Sequence, residues 1–123
     1  MNGQDYLHAA SRLETAEGLD PWTALMRVLV ARLQGMDLPA PLQPALDQAA
    51  SHWSGRPGAL PEVKVGVWRY IEAIGPSGAD LATPEGKTAR ALLCVLEPAG
   101  DDEARSMTAE WFAAMADDQQ AAG

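Results

Sequence analysis

The chain has 123 residues, with nine Lys plus Arg against seventeen Asp plus Glu, a formal charge of −8 and a pI near 4.5. This length supports one hydrophobic core and is too short for two. The charge argues against nucleic acid, whose phosphates need a basic face, and against an anionic membrane surface.

Apolar runs such as Ala91–Leu96 fall far short of the roughly 18 residues a membrane span requires. The first basic residue is Arg12 and no apolar stretch follows Met1, so the pattern of a secretory signal is not expected. The single cysteine, Cys94, rules out an intramolecular disulfide framework and suits a reducing, cytoplasmic setting. Leu, Ile, Val and Phe make up 23 of 123 residues, close to the roughly 20% below which a highly charged chain tends to be disordered. Four Trp, five Met and many Ala offset this, and the apolar residues are periodic rather than scattered. A folded chain is expected.

In chain order, Gln4–Glu17 places Tyr6, Ala10 and Leu13 at helical spacing, with Gly18 able to end the helix at positive φ. Asp20 then offers an N-cap and Pro21 a first helical position. Trp22, Leu25, Met26, Leu29, Val30 and Leu33 form one apolar stripe, Arg27 and Ala31 face away, and Gly35 follows the last turn. Met36–Pro44 reads as a proline-rich connector and Ala45–Trp53 as a short helix. Ser54–Gly58 is turn-rich.

Pro61–Ile74 admits two readings. As a helix it puts Val63, Val67, Tyr70, Ile71 and Ile74 on one stripe; as a strand, Val63, Val65, Val67 and Ile71 share a face that Arg69 interrupts. Length and the pattern past Tyr70 favour the helix. After a loop over Gly75–Ala82, Thr83 and Pro84 start a helix with Ala89, Leu92, Leu93 and Leu96 inward, stopped by Pro98-Ala99-Gly100. Asp101, Asp102 and Glu103 open the last helix, where the helix dipole favours negative charge. Its expected inward stripe is Ala104, Met107, Trp111, Ala114 and Met115, with Asp101 and Arg105 as an i,i+4 pair. The expectation is an all-α fold, a compact single-domain bundle of five or six short helices over residues 1–123, fraying over residues 117–123.

Motifs for chemistry are sparse. Leu81–Thr88 imitates the end of a phosphate-binding loop, but Leu81 stands where the first Gly belongs and Pro84 removes an N–H donor. A capped helix start explains it. Cys94 follows Lys87 and Arg90 by one to two helical turns, a setting that would favour a thiolate. Its neighbours Leu92, Leu93, Val95 and Leu96 instead suit a small buried hydrophobe. His8 and His52 lack metal-ligand spacing, and the acids at 101–103 lack that of a calcium loop. Neither metal nor cofactor is expected, and no residue is assigned a catalytic role.

Candidate contact residues are clearer. On the helical reading of Pro61–Ile74, Val65, Trp68 and Glu72 fall on the side opposite the core stripe, an apolar anchor with an acid at its rim. Trp53 beside the turn-rich loop, and the acids Asp101, Asp102 and Glu103, complete the set. The expected activity is non-catalytic binding of a basic protein, since charge of one sign steers encounter with the other. Small acidic immunity proteins that neutralise bacterial toxins are similar in size and charge, a likeness of type that no motif carries. The alternative is a helical ligand-binding or regulatory domain with a pocket lined by Trp22, Met26, Trp68, Met107 and Trp111. A third is an enzyme dependent on Cys94.

Overall fold

Local grammar becomes packing most directly in the second helix. In a computed structural model, which describes residues 2–56, 58–75 and 81–121, Asp20 accepts the Thr23 N–H at 3.0 Å and Pro21 starts a helix running Pro21–Gln34. All six residues of its expected stripe, Trp22 through Leu33, are buried. The preceding helix, Gly3–Glu17, begins one residue earlier than its pattern suggests, because Asn2 and Asp5 form a reciprocal capping box. It ends at Gly18, whose φ of 65° is the left-handed conformation expected there. These two helices are α1 and α2.

A 3₁₀ turn, Ala40–Leu42, leads into α3, Gln43–Trp53, which carries Pro44 in its first turn. Of the following loop, residue 57 lies outside the described residues. The ambiguous segment is a helix, α4, Leu60–Ile74, with Leu60, Val67 and Ile71 buried. Ile74, expected to face the core, is instead exposed at the helix end. The expected loop over Gly75–Ala82 falls largely on residues 76–80, outside the described residues.

Helix α5, Pro84–Leu93, is capped by Thr83, whose hydroxyl accepts the Gly86 N–H. It stops before the Leu96 of its expected stripe. Cys94, Val95 and Leu96 donate their N–H groups to carbonyls three residues back, so the chain tightens into turns while Val95 and Leu96 stay buried. The last helix, α6, spans Asp102–Ala121, and residues 122–123 lie outside the described residues. Asp117, placed by pattern in a frayed tail, is instead held by bonds to α1 and α2.

The inward face of α6 differs from its expected one. Ala109, Phe112 and Ala116 are buried, whereas Met107 and Trp111 are 62% and 47% exposed. The cause lies across the interface, where α1 presents Tyr6 and Gly3. Phe112 meets Tyr6 edge to face with ring centroids 5.2 Å apart. A side chain at Gly3 would reach within 2.9 Å of Glu110, so the absence of one lets the helices close. Arg105 also departs from expectation. It donates to Glu14 at 2.9 Å and to the Pro21 carbonyl at 3.1 Å, while Asp101 caps α6 by accepting the Ala104 N–H.

Each helix packs on the next along the chain, and α6 returns to α1 and α2, closing the all-α bundle as a ring. No strand occurs among the described residues, and no described helix is long and apolar enough to cross a membrane.

Candidate functional site

The arrangement of α4, α5 and α6 leaves a groove on the outside of the ring. Both α4 and α6 pack on α5 but hardly touch each other. The trough between them has a volume of about 620 Å³. Its floor is a single stripe of α5 and the turns that follow, Arg90, Leu93, Cys94 and Glu97, spaced i, i+3, i+4 and i+7. Trp68 of α4 forms one wall; Met107 and Trp111 of α6 form the other. Trp68 is 36% exposed, and Val65, one turn earlier on the same face of α4, is 50% exposed.

The groove's polar groups are largely engaged. Arg90 sits over the Trp68 ring, 5.0 Å from its centroid. Lys64 pairs with Glu97 across the α4 side of the floor. Thr108 and Glu110 add polar edges on α6. Cys94 is buried at the bottom, its Sγ 3.7 Å from the Arg90 carbonyl. Burial pushes its thiol from 9.0 up to about 12, and the neighbouring Glu97 adds to the shift. Desolvation of the thiolate dominates, so the cations one and two turns before it in sequence do not activate it. At neutral pH this is a protonated, shielded thiol.

Of the residues singled out by pattern, Val65, Trp68 and Glu72 lie together on the exposed side of α4. Glu103 is exposed at the start of α6, one helical turn before Met107 on the same face. Asp101 is committed to capping, and Asp102 is exposed in the first turn. Trp53 does not share this surface. It is buried, and its indole N–H donates to the Val95 carbonyl at 2.8 Å.

Trp22 and Met26 are core residues of α2, so the five residues expected to line a pocket do not meet. Trp68, Met107 and Trp111 do. Pattern reading missed the floor, since Leu93 and Cys94 read as core; their i, i+3, i+4, i+7 spacing with Arg90 and Glu97 was the available signal.

A second cluster is structural. Tyr6 donates its hydroxyl to Asp117 at 2.7 Å, and Arg32 donates to the other oxygen of the same carboxylate at 3.0 Å. Burial and the Asp117 carboxylate push the Tyr6 hydroxyl well above its ordinary pKa. The three groups satisfy one another and tie α1, α2 and α6 together. Comparison with family models, with curated proteins and with solved structures found no match to this chain.

Proposed function

We propose that this protein is a non-catalytic, acidic binding module that neutralises a basic protein partner, such as a toxin, by direct contact through the α4–α6 face. The observation that supports this most is the clustering of Trp68, Met107 and Trp111 around one open groove, with Val65 beside it, all exposed. Apolar side chains this large, gathered on one face, mark interaction sites more often than chance exposure does. A net charge of −8 supplies long-range attraction for a cationic protein and repels other acidic ones. The shielded Cys94 thiol favours binding over cysteine chemistry.

The test is affinity capture from cells that express the protein, using wild type and a Trp68→Ser/Trp111→Ser variant side by side, at low and high salt. One basic protein retained by wild type, lost by the variant and weakened by salt is the expected result. Circular dichroism of the variant establishes that its fold is intact. Capture that ignores both the variant and the salt, or no capture at all, removes the proposal. The convergence of two tryptophans and a methionine over Leu93 also favours a second reading, a small apolar ligand in the same groove. That reading predicts a ligand retained at high salt and displaced by an apolar dye.

A further inference from the structure

Resting on the docking reading above, we propose that the α4–α6 trough is the seat for one amphipathic α-helix of the basic partner. Its apolar face would lie between Trp68 and Trp111, with its cationic residues toward the acids that rim the trough. Three observations carry this.

The first is the shape of the trough. Helices pack with their axes about 8–10 Å apart. Two helices that each rest on a third and hardly touch each other leave a channel in which one more helix contacts both walls.

The second is the state of the surrounding backbone. The walls are helices whose N–H and C=O groups are bonded internally, and no strand edge exists among the described residues. An extended segment pressed into this apolar channel would lose water from its own N–H and C=O groups and find no backbone partners there. A helix brings its backbone already satisfied, which selects it over strand addition.

The third is the distribution of charge. Lys64 and Glu97 neutralise each other on the α4 side, and Arg90 is drawn onto the Trp68 ring. On α6, Glu103 and Glu110 flank Met107 and have no ion-pair partner among the described residues. Glu72, one turn beyond Trp68, is an exposed acid on the α4 side, so acids rim both walls and a bound helix is expected to carry Lys and Arg beside its apolar face. A second copy of this chain is a poor occupant. It brings another −8 and the same acids to the interface.

The experiment is selection from a random library of displayed 18-residue peptides against the full protein, with depletion on the Trp68→Ser/Trp111→Ser variant. Enriched peptides are expected to carry apolar residues at i, i+3 or i+4 and i+7, to bear net positive charge and to gain helical circular dichroism on binding. They should bind a Glu103→Lys/Glu110→Lys variant at least about tenfold more weakly. Enrichment of proline-rich or acidic sequences, binding that ignores the α6 charges, or no enrichment overturns the proposal. So does a dimer in sedimentation that Trp111→Ser dissolves. If a basic protein is captured through Trp68 and Trp111 while the selected peptides are extended, the helix seat falls and the docking reading stands. Failure of both capture and selection removes both.

Discussion

Four tryptophans divide into two pairs that share chemistry and differ in fate. Trp22 and Trp53 are buried, and each donates its indole N–H to a carbonyl just past α5, Glu97 at 2.9 Å and Val95 at 2.8 Å. The carbonyls at a helix C-terminus have no partners of their own. Two indoles arriving from α2 and α3 supply donors where the backbone turns out of the helix. Trp68 and Trp111 find no such acceptor among the described residues and stand at the surface with their rings open to contact. A tryptophan's place thus depends on what is available for its polar handle as much as on its hydrophobicity.

The sharpest test of this division concerns the groove between the exposed pair, whose walls are open and whose floor is closed. Cys94 should react with an aromatic disulfide reagent at least about a thousandfold more slowly in the native protein than in urea, since access requires opening. Its raised pKa also has a sign for stability. The native state holds the proton more tightly, so the contribution is fully present below pH 9 and is lost as pH rises toward about 12. Rapid labelling of the native thiol would show that the floor is open.

Next in size is Phe112→Ala, expected to cost about 3–5 kcal/mol in urea unfolding because it empties the contact with Tyr6. A loss below about 1 kcal/mol would mean that the buried face of α6 has been misassigned. Smaller still is Trp53→Phe, which keeps most of the ring but deprives the Val95 carbonyl of its donor, at about 1–3 kcal/mol. The matching change Trp111→Phe should stay within about 0.5 kcal/mol. Equal effects at the two positions would erase the distinction between the pairs.

Much of this fold was legible where the chain carries punctuation. Asp20-Pro21, Thr83-Pro84 and Gly18 mark helix ends by mechanisms that act within a few residues, and the structure uses all three. The exposed side of α4 was legible too, because Val65 and Trp68 stand apart from the Val67 and Ile71 stripe. The face of α6 was not. Alanines at 104, 109, 113, 114 and 116 give several nearly equivalent apolar stripes, and Trp111 and Phe112 are adjacent in sequence but about 100° apart around the helix. Only Gly3 and Tyr6 on α1, more than a hundred residues away, decide between them. The groove was hidden for the same reason, since its floor and walls come from three helices and exist only once α5 sits beneath the other two.

The return of α6 onto α1 also sets an order of events during synthesis. A ribosome releases α1 first, with Tyr6 lacking both Phe112 to pack against and Asp117 to accept its hydroxyl proton. Through the making of α2 to α5 the inner faces of α1 and α2 stay without their closing helix, an apolar surface of the kind that nascent-chain chaperones recognise. Closure joins residues 111 positions apart, so its entropic cost falls on the final step and cannot be met by any earlier fragment. Ribosomal pausing ahead of α6 should therefore lengthen the chaperone-bound interval far more than an equal pause inside it.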